Sequence, residues 1–298
     1  MNTVAVSSRN APLTTVLQQV LGLFKLRIGV VIAFTAVAGL AVSPGPALPA
    51  WKIALLYVAV LVSSASAGAF NQYVESDIDA RMKRTRKRAF VTGALPRTRA
   101  WLWLILALVA GAVASAWWAL NPWAALYTFL GAFFYAVVYT VWLKRRTWLN
   151  IVIGGLAGSF AVLAGAAAVD PAIGAVPLLL ALVLFLWTPP HFWSLAIAYR
   201  KDYEAAQIPM LPVVVGDKRG ARAILLHTLL LVAAALAPAF LGLGRIYLAG
   251  ALVGSAWFLA TSWKLVRNPG PKTAMSNFHA SLGQLSLLLV AAILDATL

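Results

Sequence analysis

The residues best suited to chemistry gather in one stretch, Asn71 to Arg88, which reads NQYVESDIDARMKRTRKR. Three of the eight carboxylates in the chain, Glu75, Asp77 and Asp79, are followed at once by Arg81, Lys83, Arg84, Arg86, Lys87 and Arg88. On a helix, Asn71, Glu75 and Asp79 recur every four residues and share one face, while Asp77 turns away. Two carboxylates and an amide oxygen in a row suit a hard divalent cation. Mg2+ takes few protein ligands and leaves its other positions to water or phosphate oxygens. Arg84, Arg88 and Lys83 suit the far side of a diphosphate held by that metal. The pattern also suits a helix end at the membrane interface whose acids are tied up in ion pairs.

A second constellation lies at 186–220, LWTPPHFWSLAIAYRKDYEAAQIPMLPVVVGDKRG. His191 and Asp202 are eleven residues apart, close to a whole number of helical turns, so a continuous helix carries both on one face with the imidazole about 16 Å deeper. Asp202 is a candidate second metal ligand opposite Asp79. His191 is a candidate for binding a haem or for orienting a substrate, or a hydrogen-bonded core histidine. The segment after Asp202, with Pro209, Pro212 and Gly216, is long enough to be a lid. Tyr139, Lys144 and Arg145 belong to the same side of the molecule and are further candidates for phosphate contact, or ordinary topogenic charge. His227 and His279 have no supporting pattern and read as structural.

The elements that must position these groups are membrane helices. The chain has 298 residues, 62% of them hydrophobic and only 11% charged, against roughly half and a quarter in a soluble domain. Runs of spanning length fall at about 24–43, 51–72, 101–120, 122–143, 149–169, 173–198, 222–241, 246–266 and 278–297, separated by turn signals such as Ser43-Pro44-Gly45-Pro46 and Asn121-Pro122. This predicts an all-α polytopic membrane protein of nine transmembrane helices, with a cytoplasmic segment over 1–22 and one transmembrane domain over 23–298. Assigning loops alternately to the two sides puts 22 of 24 cations on one side, leaving Lys52 and Arg245 on the other. The positive-inside rule makes the cation-rich side, with the N-terminus, cytoplasmic. Six of the eight acids lie there too, at the ends of helices two and six, which predicts two four-helix units plus a ninth helix. No cysteine is present, which excludes disulfides and thiolate metal sites. The net charge of +16 lies in short loops between apolar spans, so it reads as topogenic and not as a nucleic-acid surface.

The motif N-x-x-x-[DE]-x-x-x-D at the end of the second of nine helices resembles that of the UbiA-type intramembrane prenyltransferases. The strings Asn150-Ile-Val-Ile-Gly-Gly155, Trp187-Thr-Pro-Pro-His-Phe-Trp193 and Ile208-Pro-Met-Leu-Pro-Val-Val214, with the Tyr139-to-Lys144 spacing, resemble the branch that farnesylates haem. The likeness runs from about residue 20 to the end. It implies that farnesyl diphosphate binds through Mg2+ to Asn71, Glu75, Asp79 and Asp202, with Arg84 and Arg88 in the basic run. It further implies that the allylic cation is captured by the 2-vinyl group of haem B, and that water completes a hydroxyethylfarnesyl chain, giving haem O. A bacterial inner-membrane location follows, as does a possible relation to a haem A synthase or a terminal oxidase. Three positions depart from the family pattern. Ala198 replaces a second-motif Asp, leaving Tyr199 and Glu204 as neighbours of Asp202; Ala161-Val162 replaces a Pro pair; and Gln207 stands where Gly is usual.

Two other functions compete. Prenylation of an aromatic or quinone precursor uses the same fold, and the PPHFW string argues against it. Transport calls for ionisable residues and broken helices near the bilayer middle, whereas these acids sit at helix ends beside a phosphate-binding run.

Overall fold

The structure is a computed structural model and describes residues 13–298. Arg9 and the first part of the 1–22 segment lie outside the described residues. In hydrocarbon, every backbone N–H and C=O must find a partner inside the protein, and the apolar runs accordingly become helices. In chain order these are α1 (Leu13–Leu23), α2 (Leu26–Ala41), α3 (Ala50–Val74), α4 (Ser76–Arg81), α5 (Ala89–Thr92), α6 (Ala100–Ala119) and α7 (Pro122–Phe133). The last continues as a π-helix over Phe134–Leu143. There follow α8 (Asn150–Gly154), α9 (Leu156–Val169), α10 (Ala175–Ala198), α11 (Arg200–Ala205), α12 (Leu211–Val215), α13 (Asp217–Leu236), α14 (Arg245–Arg267) and α15 (Pro271–Thr297). Among the described residues, eight helical segments are long and apolar enough to span a membrane, and α1 with α2, bent by 47° at their junction, makes nine when the pair is counted as one span. That count takes residues from Leu13 onward into the membrane helices and not into a segment ending at 22. The protein is thus a multi-pass membrane protein.

Consecutive spans pack side by side: α2 on α3, α3 on α6 and α6 on α7, then α9 on α10, α10 on α13 and α13 on α14. These are the two four-helix units, with α15 packed on α14, α10 and α2. The hairpin at Asn121 is as tight as the sequence predicts. Its side chain accepts from the Ala124 N–H at 2.9 Å as an N-cap and donates to the Ala167 carbonyl at 2.7 Å. The units join where α2 meets α9 through reciprocal glycines. A Cβ on Gly165 would sit 1.8 Å from the Ala36 carbonyl oxygen, and one on Gly39 would sit 2.2 Å from that of Val162. With Ala161-Val162 in place of a Pro pair, α9 runs unbroken through this contact.

The duplication is clearest at the charged end of the bundle. In the first unit α3 stops at Glu75, a six-residue helix α4 follows, then α5, and α5 ends at Gly93 with φ 75°. In the second, α10 stops at Tyr199, a six-residue helix α11 follows, then α12, and α12 ends at Gly216 with φ 84°. Both glycines occupy the left-handed region that other residues avoid. Two expectations change here. The helices carrying the acids are interrupted at Glu75 and Tyr199, so neither runs straight through its acidic cluster. The segment after Asp202 is not a loose lid either: Ile208, Met210 and Leu211 are buried with Tyr203, Ile78 and Met82 in one apolar cluster. That cluster fastens α4 to α11. Gln207, standing in for the usual glycine, adopts φ 56° and is exposed.

Candidate active site

The break at Glu75 keeps the selected face together. Asn71, Glu75 and Asp79 are almost wholly buried, at 2%, 1% and 2% exposure, whereas Asp77 is half exposed. Each buried group is matched to a cation. Asn71 Oδ1 accepts from Lys25 Nζ at 2.8 Å, Glu75 Oε2 pairs with Lys144 Nζ, and Asp79 Oδ2 accepts from Arg88 Nη1 at 2.7 Å. Asn71 Nδ2 donates to Thr140 Oγ1 at 3.0 Å, which donates in turn to the Tyr135 carbonyl at 2.8 Å. Asn71 is therefore gripped by the π-helix, a departure from α geometry that is frequent at functional sites. Glu75 Oε1 is buried with no hydrogen-bond partner. An ionised oxygen left unmatched away from water is costly, so this atom marks where a cation fits.

Asp202 closes the site from the second unit. It is 7% exposed, and its Oδ2 accepts the backbone N–H of Arg84 at 3.0 Å. Asp202 thus meets the basic run that follows the first acidic motif, over a hundred residues away, through one hydrogen bond, and the Arg84 guanidinium lies over the Tyr199 ring. Among the described residues, no three His, Cys, Asp or Glu side chains converge on one point. Arg84, Arg88, Tyr139 and Lys144 line the cavity below, as do Asn71 and Asp79, whereas Glu75, Asp202, Lys83 and Arg145 do not. Lys83 is exposed. Glu204 and Asp217 are engaged by Arg200 at 2.6 and 2.9 Å, a cluster beside the site.

Arg145 instead forks onto Asp77 at 2.9 and 2.8 Å. That contact holds the Asp77 carboxyl below the usual carboxylate range. A lowered folded value stabilises the protein above the ordinary carboxylate pKa, near about 3.9, and the contribution is lost as pH falls through the folded value. Both partners are about half exposed, so the pair is worth about 1 kcal/mol at most. Asp77→Asn is expected to leave prenyl transfer within about twofold of the parent. A tenfold fall in turnover at unchanged stability would place this acid in the site after all.

Lys25 carries no functional signal in the sequence. It is the hinge between α1 and α2, with φ 48°, and its ammonium lies on Asn71 Oδ1 and, at 3.1 Å, on Tyr135 Oη. A lone cation before an apolar run looks topogenic; only its non-glycine left-handed backbone and its buried contacts mark it out.

Below the charged mouth the cavity continues, about 1180 Å³ in all, to a wall formed by Trp187, His191 and Phe278. His191 is stacked between Trp187, at 4.1 Å between centroids, and Phe278, at 4.4 Å. Pro189 and Pro190 lie inside α10 without ending it.

A helical membrane bundle with a cation-lined, carboxylate-bearing mouth over a large apolar cavity is the framework of an intramembrane prenyl-transfer enzyme. The chain belongs to the UbiA prenyltransferase family, whose model matches residues 32–288. It is 55% identical over 286 residues to Protoheme IX farnesyltransferase 2 of Paramagnetospirillum magneticum, covering 96% of this chain and 99% of that protein. Among solved structures, a digeranylgeranylglyceryl phosphate synthase is 17% identical with a TM-score of 0.77, covering 94% of this chain and 98% of its own. A UbiA homologue from Archaeoglobus fulgidus bound to DMAPP and Mg2+ is 17% identical with a TM-score of 0.67, covering 91% and 99%. At such identities these structures speak for the fold.

Proposed function

We propose that the protein transfers the farnesyl group of farnesyl diphosphate to the 2-vinyl group of haem B, with addition of water, giving haem O and diphosphate. The observation that carries this reading is the cavity with two chemistries: charged groups at the mouth, and an apolar chamber ending in an aromatic wall that holds the His191 imidazole, with His279 also on the lining. Its volume exceeds the roughly 300–1,000 Å³ of pockets for drug-sized ligands, as two large amphipathic substrates require. The 55% identical relative is itself named a protoheme farnesyltransferase.

Arg84, Arg88 and Lys144 line the cavity where the diphosphate binds, and Tyr139 borders the same volume. Asn71, Glu75, Asp79 and Asp202 offer hard oxygen donors, and the unmatched Glu75 Oε1 fits a divalent ion of the kind present in the Archaeoglobus fulgidus homologue. When bound, Mg2+ neutralises charge that builds on the diphosphate as it leaves. The C1–O bond of the farnesyl group breaks, its electron pair departing with the diphosphate. The cavity residues keep bulk water from the allylic cation, and Tyr135 and Tyr139 are aromatic residues on the same lining whose rings can stabilise positive charge. The vinyl π-pair forms the new C–C bond, and water adds to the remaining cation and releases a proton. His191 takes the haem at the deep end. The cation-rich end with the N-terminus is cytoplasmic, in a bacterial inner membrane; any hand-off to a haem A synthase or terminal oxidase follows from product chemistry alone.

The test is to incubate membranes containing the protein with haem B and farnesyl diphosphate, with and without EDTA, and to analyse haems by mass. A hydroxyethylfarnesyl haem that disappears with EDTA is expected. Transfer of the chain only to a quinone precursor would overturn the haem assignment and leave the prenyltransferase class standing.

A further inference from the structure

The imidazole in the cavity wall is held by a second residue with no place in the sequence motifs. Ser281, on α15 and 0% exposed, lies 2.7 Å from His191 Nδ1 through its Oγ. The same Oγ donates to the Phe278 carbonyl at 2.6 Å. A hydroxyl has one proton, and a carbonyl can only accept. Both contacts are satisfied together only when His191 Nδ1 carries the proton and donates to Ser281. The lone pair then resides on Nε2, which has no hydrogen-bond partner among the described residues, on a ring that lines the cavity. The Ser281 carbonyl also accepts the Trp187 indole N–H at 2.8 Å. One residue of α15 thus fixes the tautomer of His191 and anchors the ring stacked upon it, while Phe278 closes the other face.

We infer that Ser281 is a positioning residue that locks His191 as the Nδ1–H tautomer, so that Nε2 meets the iron of the haem substrate. The inference rests on the haem reading above. A neutral imidazole binds iron through one nitrogen, and the hydrogen bond made by the other sets which one it is. Partners of this kind fix ring orientation and raise ligand basicity, and their loss costs about 10–100-fold in metal affinity. Two aromatic faces restrict ring rotation, and the Ser281 hydroxyl settles the remaining choice between the nitrogens.

Two measurements on the full chain in lipid nanodiscs test this. The first needs no haem. In 15N-histidine NMR, with His227 and His279 assigned by substitution, His191 is expected as the Nδ1–H tautomer in the parent and in Ser281→Thr. In Ser281→Ala it is expected to shift towards Nε2–H. An unchanged tautomer in Ser281→Ala overturns the assignment. The second titrates haem B and follows the Soret band and the EPR signature of axial imidazole. Ser281→Ala is expected to weaken haem binding by about tenfold or more and to reduce the imidazole signature, with Ser281→Thr restoring both. His191→Ala is expected to abolish the signature. Trp187 bonds to the backbone of Ser281, so that tie survives the alanine substitution and packing is largely preserved. Parent protein that binds haem with a signature unaltered in Ser281→Ala removes the positioning role alone. Parent protein that binds no haem removes the proposed function as well.

Discussion

Glu75→Gln is expected to lower prenyl transfer by about 10²–10³-fold, the scale of losing one preorganised group that stabilises developing charge. Gln keeps the size of the side chain but removes the charge from a carboxylate whose second oxygen is fully buried and unmatched. It also deprives Lys144 of its counter-ion. The test compares turnover against Mg2+ concentration, with thermal midpoints measured alongside. A metal ligand predicts a raised Mg2+ requirement in Glu75→Gln and in Asp79→Asn. A merely structural pair predicts a fall in the midpoint with the Mg2+ profile unchanged. Full turnover in either variant would show that the carboxylate is dispensable.

The second large effect concerns the fold alone. Gly165→Ala places a methyl group 1.8 Å from a backbone oxygen of α2, far inside van der Waals contact, and no side chain can swing away to relieve it. Overpacking of a core commonly costs about 1–3 kcal/mol, and a clash of backbone against Cβ belongs at or beyond the top of that range. Expression should yield little folded protein, measured as the monodisperse fraction after mild solubilisation. Gly39→Ala, whose Cβ would meet the Val162 carbonyl in the same contact, should act alike. The pair should be less than additive, because either substitution alone already separates the helices. A Gly165→Ala protein as stable as the parent would show that α2 and α9 are not held this closely.

Much of this was legible from residue spacing. The four-residue interval puts Asn71, Glu75 and Asp79 on one face and Asp77 off it, and the structure buries the three while leaving Asp77 half exposed. The interruption at Glu75 had no signal, since no proline or glycine stands there. Through Pro189-Pro190, where two prolines do stand, α10 continues. Segregation of the cations gave the span count, because one wrong span would have scrambled it. The site beyond its acids was harder. Lys25 looks topogenic in the sequence, and only its contacts with Asn71 and Tyr135 set it apart. The segment after Asp202 reads as a lid from Pro209, Pro212 and Gly216, whereas Ile208, Met210 and Leu211 anchor it in the apolar cluster. The bond from His191 to Ser281 crosses ninety residues, and no local pattern reports a contact of that range.

The ion pairs at the mouth bear on how fast the enzyme can cycle. Arg88 and Lys144 are paired within the protein with Asp79 and Glu75. An arriving anion must therefore win these cations from internal competitors, and a departing one is replaced as it leaves. Such self-competition caps the affinity for any diphosphate, spent product included, and lowers the barrier to its escape. Where release limits turnover, as in many enzymes with enclosed sites, tighter binding of the leaving group would slow the cycle, and the carboxylates would then set the pace by how readily they take their partners back.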